Sequence, residues 1–173
     1  MKNLKILNSK QLKPIKQLLK QQFDADFDFS KYAVLLSSKD KIYIANKDIF
    51  TDKNLDLYKL RVNSIGIYFA YIKNNELRLS IEGSQLVGPI AKTNIITLSD
   101  KEFNQWIQGI DIDKSAHKKP SPSHPPKEKQ QYNSITNNKF VIIKHNTDYI
   151  GCGKTKDNRI LNFVPKTRRI RVK

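Results

Sequence analysis

The chain has 173 residues, 38% of them hydrophobic and 28% charged, with a formal net charge of +16 at pH 7. That length holds one good core or two small ones, and the balance is that of a globular protein on the polar side. Three features point to a cytoplasmic protein: no apolar run reaches the roughly 18–20 residues of a membrane span, the start MKNLKILNSKQ lacks the apolar core of a secretory signal, and a single cysteine excludes an internal disulfide framework.

In chain order, Leu12, Ile15, Leu18, Leu19 and Phe23 fall at helical spacing. Ser9 is one candidate cap, but a start near Lys13 places Pro14 at the first helical position, where its missing N–H costs least. Asp24, Asp26 and Asp28 alternate beyond it and could chelate calcium weakly, although the glycine and closing glutamate of an EF loop are missing. Tyr32–Leu36 and Lys41–Ala45 read as strands around the turn Ser37-Ser38-Lys39-Asp40. Residues 1–56 are thus expected to form a small α/β lead-in.

From Leu60 the texture is β. Ile65–Lys73 and Glu76–Glu82 are expected strands, joined by Asn74-Asn75, a pair suited to a two-residue hairpin. Leu77, Leu79 and Ile81 would share the core face, with Arg78, Ser80 and Glu82 on the wet one. Gly83–Pro89 is a short turn or helix, and Asn94–Leu98 another strand. Ser99 and Glu102 then form a capping box, with Gly109 at the exit, so a helix is expected from Asp100 to Gln108 with Trp106 in the core.

Residues 114–138, with four prolines and five lysines, read as a flexible insertion. His117 and His124 inside it make a poor metal pair. Phe140–His145 and Tyr149–Cys152 are expected strands, and a basic strand starts at Arg159.

The charge is concentrated at this end. Residues 118–173 carry 14 basic and 3 acidic side chains, a net of +11, against +5 for residues 1–117. Basic chain ends are often solvated tails. Here, however, Ile160, Leu161, Phe163 and Val164 run between the charges and can anchor a strand. Gly151 and Gly153 bracket Cys152 and allow a tight turn that would present main-chain N–H groups. Fixed donors beside clustered cations suit a polyphosphate such as RNA.

Catalytic motifs fare poorly. Gly153-Lys154-Thr155 imitates the end of a P-loop, but Asp148 stands where the first glycine belongs. No G-x-G-x-x-G follows a strand, and Cys152 lacks a recognisable base and orienter, so a packed residue is the plainer reading. No catalytic residue, metal site or cofactor is expected.

Five blocks carry a resemblance: Leu60–Gly66, Arg78–Leu86, Trp106–Gly109, Gly151–Lys154 and Asn162–Arg169, the last reading NFVPKTRR. In that order they resemble the PUA-like RNA-binding domain, above all the one at the C-terminus of NOL/Sun-type ribosomal-RNA 5-cytosine methyltransferases. Archaeal stand-alone proteins with a lead-in before such a domain, similar to a ribosome-assembly factor, are also alike. The resemblance covers about residues 60–112 and 139–170. It implies an α+β fold in which residues 57–173 form a mixed β-barrel-like domain interrupted by the 114–138 insertion. It further implies RNA contact by the glycine turn and last strand, through Gly151, Gly153, Lys154, Lys166, Arg168 and Arg169, with Ser84 and Gln85 at the rim. Lys156, Arg159 and Arg171 join them as neighbouring cations. The methyltransferase half, with its S-adenosylmethionine site, is missing from this sequence.

The expected function is therefore non-enzymatic binding of structured ribosomal RNA, as an assembly factor or ribosomal component. Its partners would be a ribosomal subunit or pre-ribosomal particle, with ribosomal proteins meeting the 114–138 segment and no membrane involved. The alternative is an RNA-targeting subunit of a separate methyltransferase or pseudouridine synthase.

Overall fold

The computed structural model describes residues 4–50, 65–114 and 138–170. After a short strand β1 (Leu4–Ile6), Asn8 caps helix α1 (Ser9–Phe23). Asn8 Oδ1 accepts from Gln11 N at 3.0 Å, and Gln11 Oε1 accepts from Asn8 N at 3.2 Å. This reciprocal box offsets Pro14, which lies inside the helix and not at its first position. The sequence favours the later start because Asn8 and Gln11 are a less familiar pair than Ser and Glu.

Strands β2 (Tyr32–Ser37), β3 (Lys41–Asn46), β4 (Ile67–Lys73) and β5 (Glu76–Leu79) complete an antiparallel sheet in the order β1-β2-β3-β4-β5. The β4–β5 turn is the expected one, with Asn74 and Asn75 at φ 51° and 58°. Because β3 pairs with β4, the sheet runs straight across the residue 56/57 boundary. Helix α1 covers one face with Ile15, Leu18, Leu19 and Phe23. It also seals the β5 edge: the Gln22 side chain donates to Leu77 O at 3.0 Å and accepts from Leu77 N at 2.7 Å.

Ile81 does not extend β5. Ser80 turns the chain by accepting from Gly83 N at 2.8 Å, so Ile81–Val87 becomes helix α2. A second sheet follows, ordered β6-β8-β9-β10-β7. Its members are β6 (Ile95–Thr97), β7 (Ile112–Asp113), β8 (Phe140–His145), β9 (Asp148–Lys156) and β10 (Arg159–Asn162). Among the described strands only β6 and β8 pair in parallel, which makes the sheet mixed. Between β6 and β7 lies helix α3 (Asp100–Ile107), with the Ser99–Glu102 capping box in place.

The two sheets share a core. Val87, Ile142 and Cys152 pack in one cluster with Phe23, Ile44, Phe69 and Leu77. The mixture of helices with a curled mixed sheet is α+β and consistent with a PUA-like architecture. Residues 115–137, which hold His117, His124 and most of the expected insertion, lie outside the described residues, as do Leu60–Ser64 and Arg171.

Candidate nucleic-acid interface

The expected strand Tyr149–Cys152 is present and runs on through Gly153 to Lys156, so no glycine turn interrupts it. Gly151, Cys152 and Gly153 are buried in the middle of β9, and their backbones face Ile143, Ile142 and Val141 of β8. Gly153 also faces Asn162 of β10. The three residues are thus paired within the sheet, although Gly151 and Cys152 also border a cleft. The two glycines serve different ends. A Cβ on Gly153 would lie 2.5 Å from Ile160 Cγ2 and 3.1 Å from both Leu161 O and Trp106 Cη2, so there the glycine provides room. Gly151, by the bulge between Ile143 and Lys144, takes φ 141°, a conformation that side chains rarely adopt, although a Cβ would meet the Trp106 indole only at an ordinary 3.6 Å. Trp106 is fully buried, as expected, and its indole N–H has no hydrogen-bond partner among the described residues.

The cations divide into tied and untied groups. Lys154 Nζ is 2.7 Å from Glu76 Oε2 and 4.8 Å from the Phe140 ring centre, so it cross-links the two sheets. Arg169 Nε donates to Val164 O at 3.1 Å and lies over Gly109, where a Cβ would come within 2.2 Å of it. Arg168 Nη2 meets Glu82 Oε1 at 2.8 Å but stays exposed. Lys156 and Arg159 flank the β9–β10 hairpin, whose Asp157 and Asn158 adopt φ 47° and 60°. They and Lys166, on the single helical turn Lys166–Arg168, are exposed and have no ion pair among the described residues. The closing strand is shorter than expected: β10 ends at Asn162, so only Arg159 of the basic residues lies on it.

The rim divides as well. Ser84 is wholly buried, its hydroxyl donating to Ser80 O at 2.8 Å, and cannot touch a ligand. Gln85 is exposed on α2, one turn along from Glu82. Cys152 is buried in apolar surroundings, which pushes its thiol up to about 12 and keeps it protonated. The aspartates after α1 are also committed. Lys20 Nζ holds Asp24 at 2.7 Å and Asp26 at 2.8 Å, while Asp28 accepts from Ser30 N.

Sequence reasoning overlooked a cleft of about 300 Å³ between the sheets. Its walls include Tyr68, Arg78, Glu82, Cys152, Phe163 and Arg168. The Arg78 guanidinium lies 4.7 Å from the Phe163 ring centre and 5.2 Å from that of Tyr71. Alternation along β5 placed Arg78 on the wet side, but no local signal links it to a ring 85 positions later.

Residues 93–170 match the family model described as the methyltransferase RsmF PUA domain. The chain thus carries a PUA-like domain, a class of RNA-binding domain. That domain, residues 93–170, is related to the C-terminal domain of Sun-type rRNA methyltransferases. The matched span starts just before β6 and takes in the second sheet, α3 and every untied cation named above; β1–β5 lie outside it. No curated protein matches the chain.

Proposed function

We propose that this protein binds structured ribosomal RNA and performs no chemistry of its own, acting in the cytoplasm on a ribosomal subunit or its precursor. One observation supports this most: the PUA-like span holds Lys156, Arg159 and Lys166 exposed and in no ion pair among the described residues. Cations in that state attract phosphates at little cost, because no internal ion pair must break first. The kinship with a methyltransferase's PUA domain favours a second setting, in which the chain delivers a separate rRNA methyltransferase to its target. Co-purification distinguishes the two: ribosomal particles in one case, a methyltransferase in the other.

The binding itself is tested by fluorescence anisotropy with a labelled, structured rRNA fragment across a salt series. Affinity should fall with a log–log slope of about −2 or steeper, three phosphate contacts contributing roughly 0.7–0.9 each. Lys156→Glu combined with Arg159→Glu should weaken binding about tenfold or more. An affinity indifferent to salt removes the proposal.

A further inference from the structure

We infer that the cleft between the two sheets receives a single unpaired nucleobase of the bound RNA; this rests on the RNA-binding reading above. Four observations lead there. First, the cleft is of nucleotide scale: its 300 Å³ sits at the lower end of the ~300–1,000 Å³ typical of small-molecule sites. Second, it offers flat surfaces. Tyr68, Phe163 and Arg78 line it, the guanidinium lying against the Phe163 ring, so its walls carry the aromatic and guanidinium groups on which bases stack.

Third, Arg78 is charged, half-buried and without a carboxylate in ion-pair contact among the described residues. Stacking on aromatic rings orients it but leaves its charge uncompensated, which suits an electron-rich base edge or a phosphate. Fourth, the mouth is mixed. Ile67 is 42% exposed at the entrance, an apolar residue that a base would cover. Glu82 and Arg168, paired at 2.8 Å, set an acceptor and a donor on the rim. Cys152 closes the back as a neutral, apolar surface.

The matched span supplies only one wall, with Cys152, Phe163 and Arg168; the other comes from β4, β5 and α2. A base in the cleft would therefore engage both sheets at once. The cleft would give the protein preference for RNA with an unstacked residue, while the exposed cations hold the flanking backbone. An extruded base already outside the stack enters without the cost of unpairing, so bulges and loops should outcompete continuous helix.

The test compares two RNA hairpins, one with a single 2-aminopurine bulge and one fully paired with 2-aminopurine in the stem. The bulged hairpin should bind at least about fivefold tighter, as expected for stacking of one base on an aromatic surface. Its fluorescence should change on binding while that of the paired one stays constant. Phe163→Leu should abolish both differences and leave the salt slope intact. Ile67→Trp, which blocks the mouth from an exposed position, provides the same test should Phe163→Leu unfold. Equal, salt-dependent binding of the two hairpins overturns the inference and spares RNA binding. Salt-independent binding, or none, overturns both. Free adenosine monophosphate binding the cleft with no bulge preference would assign it to a free nucleotide and overturn the inference too.

Discussion

The two sheets fill their cores differently. Beside the first, Lys20 at the end of α1 holds Asp24 and Asp26, while Lys13, Lys16 and Lys39 stay exposed with no ion pair among the described residues. An aromatic cluster of Phe27, Phe29 and Phe69, with ring centres 4.7–5.6 Å apart, fills the space beneath. In the second, bulk is supplied by one tryptophan packed beside a glycine-bearing strand, and cations are again of both kinds, tied and untied. The difference teaches how to read a basic stretch. Lys154 and Arg169 are as basic as Lys156 and Arg159, yet the first two brace the fold and only the second two are free for a ligand.

Breaking the second sheet should be easiest at Trp106. Replacing this fully buried side chain in Trp106→Ala should cost roughly 3–5 kcal/mol in a denaturant titration, since the space over two glycines cannot be refilled. The reciprocal change, Gly153→Ala, pushes a methyl against Ile160, the Leu161 carbonyl and the indole. It should cost about 1–3 kcal/mol. A milder loss would mean that Ile160 and the indole can shift, and Gly153 would then need another explanation.

Acid should act through Glu102, which is nearly buried with its carboxylate on Lys114 Nζ and on the Ser99 N–H and hydroxyl. Burial opposes its ionisation, but the ammonium and these hydrogen bonds outweigh it and hold the carboxyl down at about 2. Its usual value is near 4.5, so the folded state binds the proton less readily than the unfolded one. The resulting stability is fully present above pH 4.5 and fades as pH falls toward 2, by on the order of 2 kcal/mol. Glu102→Gln should flatten that limb of the pH–stability curve; an unchanged limb would rule out this pair as its source. Smallest of all should be the effect of Lys156→Glu with Arg159→Glu on folding, within about 0.5 kcal/mol for exposed sites. A large loss of melting temperature there would erase the contrast between bracing and free cations.

Much of this was legible in one dimension. The Asn74-Asn75 hairpin, the Ser99–Glu102 box and the core position of Trp106 are written in short-range chemistry, and the structure bears them out. So is the lopsided charge, and the five blocks from Leu60–Gly66 to Asn162–Arg169 carried the resemblance to the PUA-like domain, which the match over residues 93–170 supports. What failed was inference from type to exposure. Gly151 and Gly153 looked like a turn because glycine permits one; within the strand Gly151 supplies a positive φ, and Gly153 makes room for Ile160, the Leu161 carbonyl and Trp106. Ser84 looked like a surface hydroxyl; a backbone carbonyl one turn back claims it.

By itself, then, the sequence determined which elements form and where positive charge accumulates, since propensity, capping and alternation act over a few residues. Only the tertiary structure decided which cations remain available and that Tyr68, Arg78, Phe163 and Arg168 enclose a cleft. Those outcomes depend on contacts between residues some 80 to 100 positions apart, set by how two sheets pack around one shared core.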